Sequence, residues 1–174
     1  MSWADTYSHY PWVKLFGACF GHQIISKALL ADQGVYVERN PHGWENGVYT
    51  VDVCAEFTDL FPEQLPLALG RPCRLSVQFV HGDHVVIPEA ADISGWVQFG
   101  ATKLCSAQGL CKPYRVLTYQ GHAEYDIKIN TANMESLAEK SGWSDQYMAE
   151  TMSLVRHDDD SAIFADVALA FFLR

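Results

Sequence analysis

The chain has 174 residues, 49% of them hydrophobic and 19% charged, the size and balance of one globular domain with a single core. Its 12 basic and 21 acidic side chains leave a formal net charge of -9, and no local basic run offsets it, which argues against nucleic acid as a partner. No apolar run approaches the roughly 20 residues of a membrane span. No signal peptide opens the chain, and the five cysteines are an odd number, as expected of free thiols in a reducing cytoplasm.

Residues 12–18 read as a short buried strand that ends at Cys19-Phe20-Gly21. A helix is expected from about 21 to 31, with Ile24, Ile25, Ala28 and Leu29 on one apolar face and Gly34 as its stop. Residues 35–38 and 47–53 look extended, separated by the turn signal Asn40-Pro41-His42-Gly43. Residues 55–61 suit one or two helical turns closed by Pro62 and Pro66. Leu75, Val77 and Phe79 alternate with Ser76 and Gln78, the pattern of a half-buried strand. Further strands are expected over 96–104 and 114–120, then helices over 127–140 and 143–156. Asp160 or Ser161 can cap a last helix whose apolar face is Ile163, Phe164, Val167, Ala168, Phe171 and Phe172. No linker or repeat divides the chain, so residues 1–174 form one α/β domain, with residues 1–11 as a divergent leading segment.

Gly17-x-Cys19-x-Gly21 between a strand and a helix has the form of a nucleophile elbow. Such a turn strains the backbone at the nucleophile, and flanking glycines leave room for it. The following helix aims N–H groups and its positive end at the sulfur, favouring thiolate, while the N–H of Phe20 points where an oxyanion would form. The alternative at this point is a small buried cysteine beside a tight turn. Gln120-Gly121-His122-Ala123-Glu124 follows the strand expected over 114–120. In extended backbone His122 and Glu124 face one side, which suits a histidine that moves the thiol proton and a carboxylate that orients it.

Gly17-Ala18-Cys19-Phe20-Gly21-His22-Gln23 and Gln120-Gly121-His122-Ala123-Glu124 resemble the two signatures of class I glutamine amidotransferase domains, most closely the free-standing, GMP-synthase-like group. Residues 41–48 (PHGWENGV) and 80–85 (VHGDHV) are similar to two further segments of that family, in the same order. The resemblance implies a flavodoxin-like three-layer α/β/α sandwich. It also implies attack of a thiolate on the amide of glutamine or another γ-glutamyl compound, through a thioester that water or a small amine resolves. Carried over, Cys19 is the nucleophile, His122 the general base and acid, and Glu124 its orienter. Phe20 lends an oxyanion N–H, Gln23 touches the glutamyl part, and His81 and Asp83 lie near the substrate's polar end. No cofactor or metal is implied.

Relative to that family the leading segment is short, so the fold is expected to be N-terminally truncated. A glycine-rich loop that supplies the second oxyanion N–H is absent from residues 1–11. Losing one such donor costs roughly 10²–10³ in rate. Strand edges left open by the truncation invite another chain, so a homodimer or an obligate protein partner is expected. Ala123 stands where the family has proline, and Val80 where some relatives are polar. Two alternatives stay open: a non-hydrolytic Cys/His enzyme (isomerase, lyase or cyclase) acting on a specialised metabolite, and a non-catalytic interaction module derived from an amidotransferase. Among other features, His81-Gly82-Asp83-His84 reads as a polar turn rather than a metal half-site. His22 reads as a packing residue, and Trp44 as a pocket wall.

Overall fold

The computed structural model describes residues 2–65 and 73–174, so Pro66 lies outside the described residues. The chain opens with a short helix, α1 (Trp3–His9). Strand β1 (Leu15–Ala18) then leads into α2 (Phe20–Leu30). β2 (Tyr36–Arg39), β3 (Glu45–Val53) and the short α3 (Ala55–Leu60) follow, then β4 (Cys73–His81) and β5 (Asp83–Val86). β6 (Val97–Phe99), β7 (Gly109–Lys112) and β8 (Val116–Tyr119) precede three C-terminal helices: α4 (Ile127–Ser141), α5 (Asp145–Val155) and α6 (Ser161–Leu173).

The central sheet runs β1-β8-β7-β6. β1 pairs parallel to β8, Leu15 opposite Val116 and Ala18 opposite Tyr119, while β8–β7 and β7–β6 are antiparallel. Side-chain alternation along β8 separates two packed faces. Val116 joins Leu15 and Ile25 on the α2 side; Leu117 and Tyr119 join Phe164, Val167 and Phe171 of α6 on the other. The sheet is thus sandwiched between helices, which is why all four residues of β8 are buried. Two antiparallel ribbons complete the domain: β3–β4, with Glu45 opposite His81, and β2–β5, with Arg39 opposite Asp83. The α/β class and the layered arrangement agree with expectation.

Several local expectations need correction. α1 lies within residues 1–11, where no helix was expected; Ser2 and Asp5 form a reciprocal capping box there. The strand expected over 96–104 is only Val97–Phe99, ended by Gly100 at a left-handed φ of 71°. β4 is buried on both faces near its end. Gln78 is fully enclosed, giving its amide N–H to the Val155 carbonyl (3.0 Å) and accepting from Asn130 (2.6 Å). Asp160 precedes α6 but does not cap it through its side chain. Its carboxylate accepts the backbone N–H of Ser76 (2.8 Å).

The two elbow glycines serve different ends. A Cβ on Gly17 would sit 2.6 Å from the Gly21 backbone carbon and 2.8 Å from Ile25, whereas one on Gly21 would meet nothing. Gly17 is therefore required by the close crossing of β1 and α2, and Gly21 supplies backbone rather than space. Gly17→Ala is expected to cost about 1–3 kcal/mol by overpacking. Gly21→Ala, at a helical position, is expected to be neutral or stabilising by up to about 1 kcal/mol. Urea unfolding midpoints of the two variants decide this, and equal losses would contradict the crossing as the cause.

Candidate functional site

Cys19 stands between β1 and α2 with φ 48° and ψ -109°, a conformation that costs a non-glycine residue on the order of 1–3 kcal/mol. Its backbone is held on both sides: its N–H donates to the Tyr119 carbonyl (2.9 Å), and its carbonyl accepts from Gln23 N–H (3.1 Å). The strain expected of an elbow is thus present. The N–H of Phe20 precedes that first helical bond and has no partner among the described residues. The ring of Phe20 is 69% exposed, so only its backbone belongs to the site. The Cys19 sulfur lies 3.7 Å from the Val80 carbonyl oxygen and 3.5 Å from the Gln120 side-chain nitrogen.

His122 approaches from the end of β8. Its N–H donates to the Gln78 carbonyl (2.8 Å), and its ring stacks on Tyr125 with centroids 4.0 Å apart and planes 2° from parallel. Nδ1 lies 2.6 Å from the Glu124 carboxylate. A carboxylate only accepts, so Nδ1 donates, leaving Nε2 for the thiol. Glu124 reaches the ring because the chain turns back after His122, with Tyr125 N–H on the His122 carbonyl, and not because the segment is extended as expected.

Burial pushes the His122 ring toward neutrality, but the hydrogen bonds and charges of Cys19 and Glu124 outweigh it and lift the pKa to about 9. Burial likewise pushes the Glu124 carboxyl up, and the bond to His122 more than reverses this, holding it below its ordinary value. The stabilisation of charged His122 is full below the ordinary 6.5 and is lost as pH rises through about 9. That of Glu124 is present above 4.5 and is lost as pH falls through its lowered value. Glu124→Gln is expected to move the His122 midpoint down from about 9 toward 6.5, read from the ring-proton NMR titration; an unmoved midpoint would contradict the pairing.

Gln23 is buried, and its amide donates to the Asp83 carbonyl (2.9 Å) and to Gln120 Oε1 (3.1 Å). His81 is also buried, with Nδ1 3.0 Å from that same Asp83 carbonyl and Nε2 3.1 Å from Glu45. The Asp83 carboxylate is half exposed and pairs with Arg39 at 3.6 Å. Arg39 in turn lies over Trp44. Trp44 lines a recess of about 400 Å³ with His42, Trp143 and Tyr147. His22 is fully enclosed against Thr118 and Ala107; burial drops its pKa to about 3, so it stays neutral and packs, as expected. Burial pushes the Cys105 and Cys111 thiols up to about 12, and those of Cys54 and Cys73 upward as well. The sequence alone gave no role to Gln120 or to Glu45, although both stand inside the quoted motifs.

Over 171 residues, 98% of the chain, the sequence is 29% identical to a glutamine amidotransferase-like protein of Schizosaccharomyces pombe. Its sequence relatives are glutamine amidotransferase-like proteins. A second, described as a glutamine amidotransferase of Saccharomyces cerevisiae, is 36% identical over 123 residues, 70% of the chain. The chain spans 62% and 41% of these two relatives' lengths. Among solved structures, a glutamine amidotransferase from Thermotoga maritima superposes with a TM-score of 0.61 over 98% of this chain and 64% of its own, at 20% identity. That likeness shows the amidotransferase-like fold. No protein-family model matches the chain. Among the described residues, no helix is long and apolar enough to cross a membrane.

Proposed function

We propose that the chain hydrolyses, or transfers to a small amine, the acyl group of glutamine or a γ-glutamyl amide, with Cys19, His122 and Glu124 as its triad. The observation that carries this is the double engagement of His122, which meets Glu124 through Nδ1 while the negative form of the Cys19 sulfur also favours its charged form. The thiol proton passes to His122 Nε2, and the thiolate attacks the amide carbon. The oxyanion takes the N–H of Phe20. His122 returns the proton to the departing nitrogen, leaving a thioester on Cys19. Water, deprotonated by His122, then releases glutamate and the thiol.

In this reading Gln23 meets the glutamyl part of the substrate, and His81 and Asp83 stand near its polar end. The half-exposed Asp83 carboxylate suits an α-ammonium group, while the buried Gln23 and His81 fix the wall behind it. The same proposal places a homodimer or an obligate partner on β1, the terminal strand of the central sheet. Light scattering that shows only monomer at micromolar concentration, with no added partner, would sink the homodimer.

The activity is tested by enzymatic detection of glutamate released from glutamine and from γ-glutamyl amides of small amines. Release that depends on Cys19 supports the proposal. No release, with Cys19 still alkylated faster than Cys54 and Cys73, points instead to a non-hydrolytic Cys/His enzyme. No release and no such selectivity points to an interaction module.

A further inference from the structure

The sulfur of Cys19 has a neighbour that the triad does not use. Gln120 is fully buried at the end of β8, its backbone N–H tied to the Gln108 carbonyl (2.8 Å). Its side-chain nitrogen is 3.5 Å from Cys19 Sγ.

An amide side chain can face a sulfur with either end, so the orientation has to be established from its other contacts. The chain of contacts does this. The Asp83 carbonyl oxygen can only accept, and the Gln23 amide lies 2.9 Å from it, so the NH₂ of Gln23 faces that oxygen. The second hydrogen of the same nitrogen is directed 3.1 Å away at Gln120, where it requires an oxygen. The oxygen of Gln120 is thereby assigned to Gln23, and its NH₂ is left for Cys19. The reverse orientation would set two NH₂ groups against each other and a lone pair against the sulfur. Gln23 and Gln120 are both more than nine-tenths buried, so bulk water does not compete for these bonds. The buried His81 donates through Nδ1 to the second lone pair of the Asp83 carbonyl (3.0 Å), which holds the origin of the relay in place.

We propose that Gln120 is a catalytic residue whose side-chain N–H donates to the thiolate of Cys19, with Gln23 and the Asp83 carbonyl as the groups that position it. While sulfur carries its proton, the S–H has the Val80 carbonyl as acceptor at 3.7 Å. When the proton moves to His122 Nε2, that contact loses its hydrogen, and the Gln120 N–H becomes the donor to the negative sulfur. No bond other than S–H is broken, and the proton is accounted for on His122. As sulfur becomes acylated its negative charge disappears, so the interaction favours the thiolate over the thioester. The proposal rests on Cys19 acting as nucleophile.

The rate of Cys19 alkylation by iodoacetamide, followed by peptide mass spectrometry from pH 5 to 10, tests it without any substrate. The titrating groups that act on the sulfur are His122, Glu124 through it, and Tyr125. Gln120→Met keeps the length and removes the donor. It is expected to displace the profile to higher pH and to slow alkylation at pH 6 about tenfold, the value of a hydrogen bond to a charged group. Gln23→Leu, which releases the orientation of Gln120, is expected to shift it the same way by less, and gives a second route should Gln120→Met fold poorly. His122→Asn separates the two ideas. If His122→Asn displaces the profile while folded Gln120→Met and Gln23→Leu overlay the parent, the role of Gln120 is overturned and the triad stands. If His122→Asn overlays the parent and Gln120→Met does not, the triad fails and the donor stands.

Discussion

Cys19→Ala and His122→Asn are each expected to lower glutamate release by a factor on the order of 10⁴–10⁶, and the double variant by little more than either alone. In the proposed reaction nucleophile and base act in one step, so removing either removes the whole path. The losses are expected without unfolding. Alanine keeps a Cβ at the strained φ of 48°, and the backbone bonds of Cys19 to Tyr119 and Gln23 do not involve the thiol. His122 is held by its backbone to Gln78, which asparagine preserves. Steady-state rates beside urea midpoints check both halves. Multiplicative losses in the double variant would mean that Cys19 and His122 work independently, contrary to the proton transfer between them.

Glu45→Ala is expected to give the largest loss of stability, about 2–5 kcal/mol, because it removes the shared acceptor of a buried hydrogen-bonded cluster. Glu45 is fully enclosed at the start of β3. Its carboxylate accepts from Thr102 Oγ1 (2.5 Å) and Gln108 Nε2 (2.8 Å) and faces His81 Nε2 at 3.1 Å. Alanine would leave the Thr102 hydroxyl and the Gln108 amide without that acceptor in a dry interior. Glu45→Gln keeps the volume and one acceptor, so it is expected to lose roughly half as much. Arg74→Ala, which breaks a comparably short but exposed contact with Asp52, is expected to leave the urea midpoint almost unmoved. Similar losses for Glu45→Ala and Arg74→Ala would show that burial of the cluster contributes little.

The elbow was readable in the sequence because its constraints are local. Gly17 before Cys19, the short strand and the apolar helix that follows all lie within twenty residues, and the positive φ of Cys19 answers to them. The pairing of His122 with Glu124 was also legible, though by the wrong route: the bridge to Gln78 and the turn at Tyr125 aim them, not strand alternation. What could not be read were contacts between distant segments. Gln120 is one residue before a glycine that looks like loop, and nothing local says that Gln23, 97 residues earlier, fixes its orientation. Gln78 looked like the wet face of a strand because period-two patterning cannot see Asn130 and Val155 closing over it from the C-terminal helices. The helix at residues 3–9 left a readable sign, Ser2 with Asp5 three positions on, in a segment that carries no catalytic motif.

The proposed reaction runs through a covalent intermediate on one named sulfur. Acid quenching of the protein during turnover of glutamine or a γ-glutamyl amide, followed by peptide mass spectrometry, reads it directly. The expected result is a γ-glutamyl thioester on the Cys19 peptide, absent from those of Cys54, Cys73, Cys105 and Cys111 and absent from Cys19→Ala. Glutamate release that persists in Cys19→Ala, or an adduct carried by any other cysteine, would contradict it.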